Sequence, residues 1–286
     1  MPTASDPSLN RRKLRLALKA ARDKTGLTQR DAADRLDWSL SKVIRIEAGT
    51  VSLSVTDLQA MLRLYEVTDD ALVEELEQAA RGSKGQSWWS EYNDIISPPF
   101  AQFLGYESAA DSVRAYHPTL IPGLLQTADY IGALFAASPT ATQVQRGIDL
   151  RTARQERTFA DGGPEVAMIV DESALRRLVG GAGVMRNQLA HIKQLTESQR
   201  IRLQVLPLSA GAHDSLEDSF VLFGYRDDED VLYVSGPGGV LTNRDNREMV
   251  ARYQECFEDL TDKSMSQDAS LSMLDELLGQ LNVNRS

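Results

Sequence analysis

Apolar side chains recur every third or fourth position over the first 82 residues, and each run predicts an amphipathic helix. These helices are expected over about Leu9–Lys24, 29–36 and 39–48, from near Thr56, and from Asp69 to Ala80. Thr28 and Ser39 precede the two short helices, where a hydroxyl oxygen can accept free first-turn N–H groups. The first part of the chain is therefore predicted to be all-α.

From about residue 87 the apolar pattern changes between helical spacing and the short runs that are typical of strands. Helices are expected at about 107–116, after Pro122, and at 140–157, 172–178, 184–196, 245–261 and 267–281. Strands are expected at Glu165–Asp171 and Ile201–Leu206, and in a hairpin of Ser219–Gly224 with Asp230–Ser235. Helices, a small mixed sheet and closing helices together predict an α+β domain.

A polar, glycine-containing segment at residues 81–86 separates the two patterns. It predicts an all-α domain over 9–82 and an α+β domain over 87–286. A chain of 286 residues with 42% hydrophobic content is long enough to form two such cores. The N-terminus lacks an apolar targeting run, and no apolar run approaches the roughly 18 residues of a membrane span. We therefore expect a cytoplasmic protein without a membrane segment.

Charge is distributed unevenly along the chain. There are 31 Lys and Arg against 41 Asp and Glu, a net charge of −10. Residues 9–50 carry eleven basic and five acidic side chains, whereas residues 83–286 carry 18 basic and 28 acidic ones. Such asymmetry is typical of a nucleic-acid-binding module joined to a different domain. Because net acidity disfavours loose binding to polyanions, any affinity for nucleic acid is expected to come from focused contacts and to fall with salt.

The most specific sequence signal lies between residues 26 and 49, which open with Gly-Leu-Thr-Gln and close with Ile-Glu-Ala-Gly. Over about Leu9 to Tyr65 the chain resembles the Xre/Cro family of helix-turn-helix domains. The resemblance implies that the second short helix, at about 39–48, is a recognition helix that lies in the DNA major groove.

The resemblance also implies a structural ion pair between Arg22 and Glu47. Two departures from the family pattern lie in and before the turn: Ala32 stands where leucine is usual, and Asp37-Trp38 where glycine and valine are usual. Aspartate tolerates the left-handed backbone that such a turn needs. Trp38 either fills the volume that Ala32 leaves or lies partly exposed beside DNA.

Recognition-helix side chains away from its buried side are expected to face DNA. The predicted DNA-contacting residues are Thr28, Gln29, Ser39, Leu40, Ser41, Lys42, Ile44 and Arg45. Arg45 is the candidate for a bidentate guanine contact, and Leu40 and Ile44, one turn apart, are expected to be exposed to thymine methyls. Gln29, at a helix N-terminus, and Lys42 are expected to hold backbone phosphates.

Five segments of the second part resemble, in order, the C-terminal region of actinobacterial WhiJ-like regulators. They are residues 88–92, 121–127, 171–175, 204–213 and 218–222. The resemblance implies a transcriptional regulator that works with a small BldB-like partner protein. Since some members look like antitoxins, the alternative is a protein that sequesters its partner and autoregulates its own operon. Residues 236–243 depart from the family pattern, which leaves strand pairing or ligand contact there open.

The second domain offers little candidate chemistry. Cys256 is the single cysteine, which excludes an intramolecular disulfide, and the three histidines lack metal-ligand spacing. The adjacent carboxylates of Asp171 and Glu172 should diverge, and no nucleophile or phosphate-binding motif is present. We therefore expect no enzyme, cofactor or metal site. The aromatic cluster either lines a small-molecule pocket or belongs to the core; its members are Trp88, Trp89, Tyr92, Tyr116 and His117.

The sequence also predicts a homodimer, because one helix-turn-helix reads only a few base pairs and such domains usually act in pairs on two half-sites. The last helix, 267–281, carries a stripe of leucines that either forms the dimer interface or packs on its own sheet. The stripe consists of Leu271, Leu274, Leu277, Leu278 and Leu281.

Overall fold

A computed structural model describes residues 7–47, 51–85, 87–135, 140–226, 229–236, 239–243 and 246–283. The chain divides into two compact units, Met1–Glu91 and Tyr92–Ser286. This division falls a few residues after the polar segment at 81–86. No helix in the described part of the chain is both long and apolar enough to cross a membrane.

The first unit is a bundle of five helices. They are α1 (Pro7–Thr25), α2 (Gln29–Leu36), α3 (Leu40–Glu47), α4 (Val55–Leu64) and α5 (Asp70–Gly82). Ser54 caps α4 and Asp69 caps α5, each by accepting a first-turn N–H. Buried aliphatic side chains from all the helices meet in one core, among them Leu18, Val43 and Leu58. The predicted all-α head is confirmed.

The second unit has seven α-helices and six strands among its described residues. The helices are α6 (Pro98–Ala109), α7 (Ala128–Leu134), α8 (Ala141–Thr158), α9 (Glu172–Arg176), α10 (Ala182–Glu197), α11 (Arg247–Lys263) and α12 (Gln267–Val283). The strands are β1 (Ser112–His117), β2 (Glu165–Asp171), β3 (Arg202–Leu206), β4 (Ser219–Gly224), β5 (Val231–Gly236) and β6 (Gly239–Asn243). The predicted α+β class is confirmed.

The six strands form one mixed sheet in the order β3-β2-β1-β4-β5-β6. Strands β1, β2 and β3 are parallel, and β4, β5 and β6 continue the sheet antiparallel from β1. Helix α11 covers one face, where Tyr116, Phe220 and Phe257 pack together. Phe103 of α6 covers the other face, with its ring centroid 4.4 Å from that of Tyr233. Both faces of the sheet are therefore buried.

The helix predicted at 107–116 is wrong. Helix α6 begins nine residues earlier, with Ser97 as its cap and Pro98 in its first turn, and ends at Ala109. The chain then enters β1, the central strand between β2 and β4. Because a central strand is buried on both faces, its sequence lacks the clean apolar–polar alternation that marks a half-exposed strand. Ala115 and Tyr116, adjacent in sequence, are both buried.

The strand pairing left open at residues 236–243 is present. Residues Gly239–Asn243 form β6 and pair antiparallel with β5, with Leu241 opposite Val234. The leucine stripe of α12 lies against its own unit, because this helix packs on α10 and β3. Leu274 and Leu277 are buried there. This packing favours the second of the two roles considered for the stripe.

Candidate nucleic-acid interface

Helices α2 and α3 each begin at a side-chain cap, and a residue in the left-handed conformation ends α2 before the turn. The Thr28 hydroxyl accepts the Asp31 N–H at 3.1 Å, and the Asp31 carboxylate accepts the Thr28 N–H at 2.9 Å. Asp37 ends α2 in the left-handed conformation, with φ 54° and ψ 43°. The Ser39 hydroxyl then accepts the Lys42 N–H at 3.3 Å. The predicted caps and the predicted tolerance of Asp37 are confirmed.

Small residues let the two short helices approach closely. Ala32 and Ala33 are both buried between the helices of the head. Trp38 is half-buried and packs against the same core. Packing against the core agrees with the first role considered for Trp38, which is to fill volume beside the small Ala32. Its partial exposure agrees with the second role, a place beside DNA.

A single buried carboxylate ties the recognition helix to its scaffold. The Arg22 Nε donates to Glu47 Oε1 at 2.8 Å, the Gln29 Nε2 donates to Oε2 at 3.0 Å, and the Tyr65 hydroxyl donates to Oε1 at 3.2 Å. These donors come from α1, α2 and the end of α4, so the carboxylate joins four helical segments. Burial, and then the neighbouring Glu47 charge, raise the pKa of Tyr65. The predicted Arg22–Glu47 ion pair is confirmed.

The exposed face of α3 is narrower than the sequence predicted. Ser41, Ile44 and Arg45 are exposed, with Ile44 43% accessible. Arg45 Nε donates to the Ser41 carbonyl at 3.2 Å, which places the guanidinium along the helix surface. Leu40 is half-buried and packs against the head core, so its predicted exposure is wrong. Leu40, the first residue of α3, thus adds an apolar contact at the start of the helix to the contact that Val43 makes further along.

Both predicted phosphate ligands make intramolecular bonds. The Lys42 ammonium lies 2.9 Å from Asp57 Oδ1 and 3.5 Å from the centroid of the Trp38 ring. The Gln29 amide is bound to Glu47. The contact of Lys42 with Asp57 was not predicted. Asp57 could have been recognised as a first-turn residue of α4, because it lies three residues after the Ser54 cap.

Arg30 is a candidate that the sequence reasoning missed. It is exposed at the second position of α2, next to Gln29. The N-terminus of a helix that flanks the recognition helix is a usual place for a phosphate contact. The sequence could have indicated Arg30, because it directly follows Gln29, which was predicted to hold a phosphate.

The aromatic residues proposed as a pocket are distributed over both units. Trp88 and Trp89 belong to the first unit, where their ring centroids are 5.6 Å apart at right angles. Tyr92 belongs to the second unit and lies 5.5 Å from the Arg146 guanidinium.

Tyr116 and His117 are neighbours on β1, so their side chains point to opposite faces of the sheet. Tyr116 is fully buried on the α11 face, with its hydroxyl 3.3 Å from His213 Nε2. Burial, and then the charge of Asp171, raise the pKa of Tyr116. On the other face, burial and then Arg154 lower the pKa of His117 to about 4. The two residues therefore do not line one pocket, which corrects that alternative.

Comparison with known proteins follows the same division. Residues 13–76 match a family described as a helix-turn-helix domain, which supports a DNA-binding regulator. No curated protein and no solved structure matches the chain. Residues 100–276, more than half of the sequence, match a family described as a domain of unknown function, DUF5753. The protein therefore belongs to the DUF5753 family and carries a helix-turn-helix domain in front of that region.

Proposed function

We propose that this protein is a sequence-specific DNA-binding transcriptional regulator that reads the major groove with α3. The observation that carries the proposal is the exposed triad of Ser41, Ile44 and Arg45 on a helix whose opposite side is anchored through Glu47. A rigid support holds recognition side chains in register with base edges, which lowers the entropy lost on binding. The resemblance of residues 9–65 to Xre/Cro domains supports the same geometry.

Each side chain of the triad suits a different base edge. The guanidinium of Arg45 can donate two parallel hydrogen bonds to guanine O6 and N7, a contact worth about 1–3 kcal/mol of discrimination. Ile44 offers an apolar surface to a thymine methyl group. Ser41 can donate to or accept from a neighbouring base or phosphate.

Backbone anchoring is assigned to Arg30, Gln29 and Lys42 around the triad. Arg30 is exposed and carries its charge beside the first turn of α2. For Lys42, a DNA phosphate must compete with the Asp57 carboxylate, which holds the ammonium at 2.9 Å in the absence of DNA. These contacts set affinity and register, whereas the triad sets sequence preference.

The second unit is proposed to regulate the head by binding a protein partner, and it is assigned no reaction. Its adjacent carboxylates have structural roles: Asp171 accepts the Ser173 N–H at 2.8 Å, and Glu172 accepts from Leu208 N at 2.9 Å and Arg176 Nε at 2.6 Å. The resemblance to WhiJ-like regulators supports a small BldB-like partner. A cytoplasmic location is part of the same proposal.

Selection of binding sites from a random duplex pool tests the DNA-binding proposal. The full chain is expected to enrich one sequence motif, and Arg45→Ala is expected to lose the preference at one position of each half-site. Arg202→Ala is the matched control, because it removes an exposed arginine from the second unit. If Arg45→Ala enriches the same motif with the same stringency, the assignment of Arg45 is wrong.

Purification from the native host distinguishes the antitoxin-like alternative from the transcriptional regulator. A stoichiometric small protein that stays with the chain through salt washes, and whose own activity the chain suppresses, supports that alternative. Genome-wide recovery of many operators with no such companion supports the regulator.

A further inference from the structure

The exposed leucines of the second unit gather at one end of its sheet. In the described part of this unit, the large hydrophobic side chains that remain exposed are Leu120 (37%), Leu178 (57%), Leu208 (59%) and Leu216 (53%). Leu120 follows β1, Leu178 follows β2 and α9, and Leu208 follows β3, while Leu216 precedes β4. Because β1, β2 and β3 are parallel and β4 runs opposite to β1, all four positions lie at the carboxyl end of the parallel strands.

Hydrogen bonds connect the segments that carry these leucines. The Ser173 hydroxyl donates to the Pro118 carbonyl at 2.7 Å, which joins the segment after β2 to the segment after β1. The Leu208 N–H donates to Glu172 at 2.9 Å, which joins the segment after β3 to α9. His213 lies against Tyr116 at the end of β1. The leucine end, as we name these four residues, is therefore a fixed surface.

Opposite charges lie next to different leucines of the leucine end. Arg176 and Arg177 are exposed next to Leu178, and Asp214 and Glu217 are exposed on either side of Leu216. Arg176 is paired with Glu172 at 2.6 Å. Arg177, Asp214 and Glu217 have no ion pair among the residues that the structure describes. The leucine end thus carries a basic segment after β2 and an acidic segment before β4, and the segment with Leu120, after β1, lies between them in the strand order.

We propose that the leucine end is a two-fold interface with a second copy of this chain. A two-fold axis through the leucines places Arg177 of one copy against the acidic segment of the other, and the same contact repeats in reverse. A surface with both signs of charge complements itself in this way although the whole chain carries a net charge of −10. The four leucines form the dry centre of the interface, and the polar segments supply its rim.

The inference deepens the proposed function, because two copies bring two recognition helices to one operator and so extend the sequence that is read. It also assigns the dimer contact to the connecting segments at one end of the sheet. The α12 stripe, which was the earlier candidate, packs within its own unit.

Charge reversal tests the interface in the full chain, with mass in solution measured by sedimentation. Arg177→Glu and the double variant Asp214→Lys/Glu217→Lys are each expected to raise the dimer dissociation constant at least about tenfold, since each places like charges together. Mixing the two variants is expected to restore the dimer, because each chain then offers the charge that the other lacks. Combining all three changes in one chain is expected to restore it as well.

Arg202→Glu is the matched control, because this exposed side chain lies at the opposite end of β3. Leu178→Ser with Leu208→Ser is expected to give a folded monomer, with an unchanged circular dichroism spectrum. A wild-type chain that is monomeric, including one that carries a different protein on this end, overturns the inference. Reversal variants that stay dimeric, or that do not associate when mixed, overturn it too.

Site selection with the same proteins keeps the two proposals apart. If the wild-type chain selects a DNA motif but is monomeric, the interface is wrong and DNA binding stands. If the charge-reversal pattern holds but no motif is enriched, the interface stands and the proposed function is wrong.

Discussion

Glu47 is a buried charge whose partners come from separate helices, and it should contribute more to stability than any exposed ion pair of the head. Its side chain is 3% exposed and that of Arg22 is 11% exposed. Glu47→Gln keeps the shape but leaves Arg22 with only the exposed Asp23 carboxylate, 3.2 Å from its Nη1, as counter-charge. This change should destabilise the first unit by about 3 kcal/mol. Amide exchange of α1–α5 under native conditions measures the loss. Glu74→Gln, at an exposed position of α5, should change the stability by less than about 0.5 kcal/mol.

His117 should make the second unit sensitive to mild acid. Its pKa is lowered to about 4 in the fold, so the unfolded chain binds its proton first as the pH falls. The stabilising contribution is therefore present above the ordinary histidine pKa, near 6.5, and is lost as the pH falls from there to about 4. Urea unfolding of the second unit at pH 7 and pH 5 should show this loss. His117→Gln should reduce the pH dependence, whereas an equal dependence in the variant would show that other groups cause it.

Asp57 is expected to restrain DNA binding through Lys42. Asp57→Asn keeps the size of the side chain but removes the carboxylate that holds the lysine, so affinity for all DNA sequences should rise by about two- to five-fold at low salt. Lys42→Ala should lower affinity for all sequences and reduce the salt slope by about one. Fluorescence anisotropy over a range of salt concentrations measures both. An unchanged slope in Lys42→Ala would mean that this lysine does not contact phosphate.

At the scale of elements, the α2–α3 turn depends on the left-handed conformation of Asp37. Asp37→Gly should retain or slightly raise the stability of the head, because glycine adopts this conformation without steric cost. Asp37→Val should lower it by about 1–2 kcal/mol, because the branched side chain meets the following carbonyl. The unfolding free energies of both variants, compared at equal denaturant slope, test this. Equal values for glycine and valine would contradict it.

The sequence predicted those elements best whose signals are local. The caps at Thr28, Ser39 and Asp69 indicated where helices begin, and the two short apolar runs of β4 and β5 indicated a hairpin. Strand β1 was missed because its central position, between β2 and β4, is decided by partners far along the chain. The ion pair of Lys42 with Asp57 was missed for the same reason, because it depends on how α3 packs on α4. The exposure of Ser41, Ile44 and Arg45 followed from helical spacing alone. Leu40 was predicted to be exposed as well, but it packs half-buried against the core of the head.

At the scale of the whole molecule, β1 determines the order in which the second unit can form. Ala115 pairs with Met168 on one side and with Val221 on the other. One edge of this strand therefore stays unpaired until a segment about 100 residues further along the chain has been synthesised. The contacts in the first unit are more local, and local contacts form fast. At synthesis rates of roughly 5–20 residues per second, the helical head can fold several seconds before β4 emerges. A ribosome that pauses before β4 would therefore hold a folded head together with a β1 strand that has one unpaired edge, and such an edge can pair with a wrong segment.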